Sequence, residues 1–191
     1  MENYLSYGCE IFECSREDLQ RVTSMLLPEL ERGKINSEEF WELVSSEMSS
    51  GGFGKAVPAW KFKGFWEGLL SDDLRIDQDM LDLVRRLKSH VRVGAFTNVI
   101  KEHSIILQKA GVYDHFHLSV LSCKVGARKP DPESYQNAAE LAKSSVDRCL
   151  LIDDSVENLE GAQKAGFRVL HFTGIDELKR EMYHLGFLDN G

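Results

Sequence analysis

The chain has 191 residues, a formal net charge of −8 and a hydrophobic share of 42%. That length suits one core domain plus a small insert or cap, with ample apolar residues for a buried core. The acidic balance argues against nucleic acid and against an anionic membrane surface as partners.

Residues 1–16, MENYLSYGCEIFECSR, contain no aspartate. They show neither a signal peptide nor a span apolar enough for a bilayer, so the expectation is a cytoplasmic protein. Cys9, Cys14, Cys123 and Cys149 lie in no ligand or redox spacing and read as reduced thiols. From residue 17 to 31, Leu19, Val22, Leu26, Leu27 and Leu30 recur at helix spacing, with Pro28 placed to kink or end the helix and Gly33 breaking the pattern. Asn36 and Glu39 have the spacing of a capping box, and Phe40, Trp41, Leu43 and Val44 give the next helix its apolar face. Residues 49–57 read as a flexible connector. Trp60, Phe62, Phe65 and Trp66 then crowd residues 58–70, and packing is the better reading of those rings.

From residue 78 the pattern alternates. Asp77 reads as the cap, and Asp79 as a dipole partner, of a helix carrying Met80, Leu81, Val84 and Leu87. A strand over 91–96 ends in Thr97 and Asn98, and the helix through Ile105, Ile106 and Leu107 stops at Gly111. A strand over 118–121 leads to Lys129-Pro130-Asp131-Pro132 and a helix over 132–143. A strand over 149–152 ends in Asp153 and Asp154; a helix over 155–165, a strand over 167–172 and a helix over 175–185 follow. Strands alternating with helices predict an α/β fold with a Rossmann-like parallel sheet and right-handed crossovers. His115 and His117 form a His-x-His beside Asp114, but they read as a loop entering a strand, and the other histidines show no ligand spacing.

Ligands of open parallel sheets bind outside the carboxyl ends of the strands. Three such ends carry polar groups here. Two adjacent carboxylates, Asp153 and Asp154, repel each other unless a cation or donors stabilise them, and a hard ion with oxygen ligands, Mg²⁺, suits them. The bland alternative is one helix cap and one solvated aspartate. The Thr97 hydroxyl can donate to phosphoryl oxygens, and the Lys129 ammonium can neutralise a phosphoryl group and its attacker.

In order and separation, Thr97, Lys129 in RKPDP, and Asp153-Asp154 resemble the second, third and fourth motifs of the haloacid dehalogenase superfamily. The resemblance runs from about Asp77 to the end of the chain. It implies a core over residues 77–191 and a helical cap over residues 1–76, as in the phosphatase-like subgroup, whose cap residues often shape the substrate pocket. It implies Mg²⁺-dependent hydrolysis of a small phosphorylated molecule. Thr97 and Lys129 would be catalytic, Thr97, Asn98 and Lys129 would bind substrate, and Asp153 and Asp154 would hold the metal, with Asp154 the direct ligand. Asp131 is expected to stabilise its loop or a helix start, and Ser155 and Asn158 to organise the acidic loop.

The family's first motif is an aspartate nucleophile followed, two residues on, by a second aspartate, at the end of an apolar strand. Asp77-Gln78-Asp79 is the only literal Asp-x-Asp, and Met80 and Leu81 follow it instead of Gly-Thr. In the family mechanism the first Asp attacks phosphorus and the second serves as acid and base. Without them the expected reading is a hydrolase scaffold that is inactive as written; the alternative is a non-catalytic binding or scaffold protein. Three origins stay open: a truncated chain whose start lies inside the cap, a degenerate member, or an aspartate supplied by another chain. The family's first strand is also central, between the strands at 91–96 and 149–152. That slot is open to filling by residues 8–14 (GCEIFEC), by direct pairing of its neighbours, or by a strand-donating partner or second copy.

Overall fold

The computed structural model describes residues 2–188, with side chains for all of these except residues 2–4 and 71–73. The first part is helical: α1 (Glu2–Phe12), α2 (Arg16–Glu31), α3 (Ser37–Ser50) and α4 (Phe65–Asp73), with a 3-10 turn at Ala59–Phe62. Ser15 caps α2 by accepting from Asp18 N. Asn36 and Glu39 form the capping box their spacing predicts. Pro28 sits inside the last turns of α2, which continues to Glu31. These helices close on one apolar cluster including Phe12, Leu19, Phe40, Trp41, Phe62 and Trp66. Trp41 stacks on Phe62 at 3.9 Å between ring centroids and on Trp66 at 5.6 Å. Three of the four aromatics of residues 58–70 therefore pack, whereas Trp60 is 70% exposed.

Residues 8–14 do not form a strand. Through Phe12 they belong to α1, and Leu5 and Phe12 share one helical face in the buried cluster. Gly8 lets α1 lie against α2, since a Cβ there would stand 2.5 Å from Leu19 Cδ2.

The remainder alternates as expected: α5 (Gln78–Lys88), β1 (Gly94–Thr97), α6 (Lys101–Lys109), β2 (Leu118–Leu121), α7 (Ser122–Val125), α8 (Pro132–Ala142), β3 (Leu150–Asp153), α9 (Val156–Lys164), β4 (Arg168–His171) and α10 (Ile175–His184). Asp77 caps α5 by accepting from Met80 N at 3.0 Å, the role its position suggests. β1 pairs in parallel with β2, in register Gly94 to Leu118, and β3 with β4, in register Leu150 to Arg168. Among the described residues these are two separate two-stranded sheets; β1 and β3 do not pair directly. The architecture is nonetheless α/β and Rossmann-like, with a helical cap. One apolar cluster, with Val120, Tyr135 and Leu151, fills the space under α8 and α9; another, with Leu83, Leu87 and Leu178, packs α5 and α10 on β3 and β4. Among the described residues no helix is long and apolar enough to cross a membrane.

Candidate active site

β1 ends in Thr97 and β3 in Asp153, and a single side chain joins those ends. Lys129, 7% exposed, donates from Nζ to the Phe96 carbonyl of β1 at 2.9 Å and forms an ion pair with Asp153 Oδ2. Its ammonium also stands 4.9 Å from the Phe96 ring centroid, within cation–π range. A lysine buried this deeply needs such partners, because an unneutralised ammonium loses several kcal/mol of hydration.

The backbone of Lys129 is fixed separately. Asn98 Nδ2 donates to Lys129 O, and Lys129 N donates to Asn98 Oδ1, both at 2.8 Å. One amide side chain thus clamps a loop 31 residues away in sequence. The Asn98 side chain, expected to meet substrate, is occupied by this clamp. Thr97 Oγ1 lies beside it, with only a long hydrogen bond to Asn98 O at 3.3 Å. Next along the chain, Ser122 Oγ accepts from Val99 N at 2.9 Å and donates to Val99 O at 3.2 Å, which tethers the turn after β1 to the end of β2.

The two acidic residues differ sharply. Asp153 is 8% exposed, and both its oxygens are engaged: Oδ2 by Lys129, Oδ1 by Ser155 N at 2.9 Å and Asn158 Nδ2 at 3.0 Å. Burial alone would raise its pKa, but the hydrogen bonds from Lys129, Asn158 and Ser155 outweigh that and hold the carboxyl below the ordinary aspartate value. Asp154 is exposed, and its carboxylate meets no protein donor among the described residues. Ser155 caps α9 by accepting from Asn158 N, so Ser155 and Asn158 do organise the acidic turn. Tyr135, fully buried, donates its hydroxyl to Asn158 O at 2.7 Å. Its phenol pKa is pushed up to about 12 by burial and then by the Asp153 charge.

No group of three or more His, Cys, Asp and Glu side chains converges on a common point among the described residues. Mg²⁺ is commonly held by one or two carboxylates, water and the substrate's own phosphate. Asp154 has the free oxygens for it, while the oxygens of Asp153 already carry protein hydrogen bonds. His117, one half of the His-x-His beside Asp114, accepts at Nδ1 from Val93 N at 3.1 Å.

Asp131 stabilises more than its own loop. It accepts from Arg32 Nε at 2.9 Å and pairs with Arg32 Nη2 at 2.7 Å, and Arg128 Nε donates to Glu31 Oε2 at 2.6 Å. Two ion pairs therefore tie the end of α2, in the cap, to the segment that carries Lys129. Nothing in the local sequence pattern indicates these pairs; the partners stand 99 and 97 residues apart in the chain, and only the fold brings them together.

A family model for haloacid dehalogenase-like hydrolases matches residues 31–166. A phosphatase of Mycobacterium tuberculosis is 30% identical over 173 residues, which is 81% of this chain and 76% of the relative. A sesquiterpene phosphatase of Aspergillus oryzae is 28% identical over 154 residues, 80% of this chain and 74% of the relative. In fold, the chain resembles a wild-type haloacid dehalogenase family enzyme from Bacteroides thetaiotaomicron, crystallised with magnesium and inorganic phosphate, with TM-score 0.59, 22% identity, and coverage of 84% of this chain and 88% of that one. Strand ends carrying Thr97 and Asp153, the loop lysine Lys129 that joins them, the α/β core beneath and the match over residues 31–166 lead to one assignment: the chain belongs to the haloacid dehalogenase-like hydrolase family.

Proposed function

We propose that the chain is a Mg²⁺-dependent phosphomonoester hydrolase scaffold for a small phosphorylated molecule, and that residues 2–188 bind ligand without turning it over unaided. The observation that carries this reading is the contrast between Lys129 and Asp154. A buried ammonium already held between β1 and β3 would meet a phosphoryl-sized anion at little reorganisation cost. An exposed carboxylate next to it has its oxygens available for a metal. The cation would screen the phosphoryl charge. Thr97 would donate its hydroxyl to a phosphoryl oxygen, and Asn98 would hold Lys129 in place instead of meeting the substrate.

The attacking group is the reagent this reading has to find elsewhere. Among the described residues, the carboxylate in contact with Lys129 is Asp153, and its oxygens are fully hydrogen-bonded. Asp77 caps α5. Turnover then needs a carboxylate supplied from outside residues 2–188.

Calorimetric titration with Mg²⁺ and inorganic phosphate tests this. Each is expected to bind more tightly in the presence of the other, and Asp154→Asn is expected to abolish that coupling while the fold stays intact. If phosphate does not bind, or binds Asp154→Asn with the same Mg²⁺ dependence, the site assignment fails. Hydrolysis of phosphomonoesters by the chain alone, lost in Asp154→Asn, would instead overturn the statement about the attacking group.

A further inference from the structure

Cys9 and Cys14 stand five residues apart, a spacing that matches no redox motif, yet the end of α1 brings them together. After Phe12 the chain turns at Glu13, whose φ of 53° lies in the left-handed region that glycine usually occupies at a helix end. Cys14 N then donates back to Cys9 O at 3.2 Å. That bond closes a Schellman motif, in which the first and last side chains commonly touch. The path from one α-carbon to the other through this hydrogen bond is about 7 Å long even if pulled straight, and it bends at each atom. The two α-carbons are therefore within reach of the roughly 4.4–6.8 Å that a disulfide spans.

The two sulfurs act on each other. Burial first, then the charge of Cys9 and a hydrogen bond to it, push the Cys14 thiol up to about 11. Cys14 therefore holds its proton and offers it to the Cys9 sulfur. Both side chains are half-buried and pack on the edge of the aromatic cluster without being sealed in. The turn is also fastened from outside. Lys55 N donates to Phe12 O at 2.9 Å, and Lys55 Nζ forms an ion pair with Glu13. Gly54 presses on the same turn: a Cβ there would stand 2.7 Å from Phe12 O and 3.3 Å from Cys14 Cβ. A left-handed glutamate persists only where its surroundings over-determine it, and Gly54 and Lys55 supply that constraint. Cys123 and Cys149 lie apart from this turn, in two different clusters of the core.

We propose that Cys9 and Cys14 form a dithiol modification site on the helical cap, which a small disulfide such as oxidised glutathione converts into an intramolecular disulfide. The Cys9 sulfur, having given its proton to water, attacks one sulfur of the small disulfide. That S–S bond breaks and releases one thiolate, which takes the Cys14 proton. The Cys14 sulfur then attacks Cys9, breaks the mixed disulfide and expels the second thiolate, which regains a proton from water. Two cysteine thiols are oxidised, and one small disulfide is reduced to two thiols. The second step is intramolecular and between groups already in contact, so the mixed disulfide is short-lived. The site rests on a turn within the cap, so it stands whether or not the chain hydrolyses phosphate.

The test keeps the whole chain and needs neither Mg²⁺ nor phosphate. The reduced chain is exposed to oxidised glutathione, the remaining thiols are alkylated with iodoacetamide, and the chain is cut after lysine and arginine for mass spectrometry. Cys9 and Cys14 fall on one peptide, ending at Arg16, and Cys123 and Cys149 on two others. The first peptide is expected to appear two hydrogens lighter and free of alkyl groups, at least about tenfold sooner than Cys123 or Cys149 is modified. Dithiothreitol is expected to reverse the change. In Cys14→Ser the reaction should stop at Cys9 carrying one glutathione. The reduced chain should also take up one phenylarsine oxide, which needs two adjacent thiols, and both Cys9→Ser and Cys14→Ser should lose that uptake. Modification of Cys123 or Cys149 at the same rate overturns the proposal. So does glutathione that accumulates on Cys9 of the unaltered chain, or a disulfide between two chains. The deciding readout is made on the unaltered chain, so a serine variant that fails to fold does not blunt it.

Discussion

Asp153 and Asp154 are adjacent in sequence and opposite in circumstance: one buried with donors on both oxygens, the other exposed with its carboxylate unengaged. The consequence is that removing each charge should be felt in a different measurement. Asp153→Asn leaves the Lys129 ammonium buried without its counter-charge, and is expected to cost about 3 kcal/mol of folding stability, read by urea unfolding. Asp154→Asn is expected to leave stability within about 0.5 kcal/mol of the parent.

Acid should act through the same pair. The Asp153 carboxyl titrates below its ordinary value when folded, so as the pH falls the unfolded chain takes up that proton first. The stability it supplies is complete above the ordinary aspartate value of about 3.9 and is lost as the pH drops through the lower folded-state value. Urea midpoints measured from about pH 5 downward should show this limb in the parent and a shallower one in Asp153→Asn.

Asn98→Ala removes both arms of the clamp on Lys129. The expected loss is about 2 kcal/mol, the worth of two half-buried hydrogen bonds whose backbone partners are left wanting. Asn98→Asp keeps the acceptor for Lys129 N but sets a carboxylate oxygen against Lys129 O, so in chemical unfolding it should recover little or nothing of the loss seen in Asn98→Ala.

Gly161 sits where α9 passes the Lys129 loop. A Cβ there would stand 2.7 Å from the Tyr135 hydroxyl and 2.9 Å from Pro130 O. Gly161→Ala is therefore expected to destabilise by about 1–3 kcal/mol despite the better helix propensity of alanine. Tyr135→Phe in the same background should recover part of the loss by removing the nearer atom, which a double-mutant cycle would measure.

The cap–core ion pairs should be salt-sensitive. Arg32 is mostly covered and Asp131 about one-third exposed. Their coupling energy is expected near 1 kcal/mol at low ionic strength and well below that in about 1 M salt, where the Debye length is about 3 Å. A cycle of Arg32→Gln and Asp131→Asn, run at both salt levels, checks this.

Much of this arrangement was readable from local patterns. Asn36 with Glu39, Asp77 before an amphipathic run, and apolar runs ending in Thr97 and Asp153 each announce an element by chemistry that acts over a few residues. Three strands form within one residue or so of where those runs lie, and β1 begins three residues after the start of its run, at Gly94. What stayed hidden depends on distance along the chain. Residues 8–14 looked like a poor strand because their apolar spacing was judged alone; against α2 the helical face of Leu5 and Phe12 is the one that buries. Asn98 looked like a ligand-binding amide, and only the fold brings Lys129 to it. Asp153 and Asp154 were indistinguishable as letters, because the donors that separate them, Lys129 and Asn158, arrive from a loop and a helix. Tyr135 gave no signal, since its partner is a backbone carbonyl.

Trp41, Trp60 and Trp66 are the only tryptophans in the chain, and they all belong to the helical layer. Indole emission is therefore a private optical probe of that layer. Its transition, set beside the far-ultraviolet dichroism of the whole molecule, would reveal whether the two parts melt as one cooperative unit or in succession.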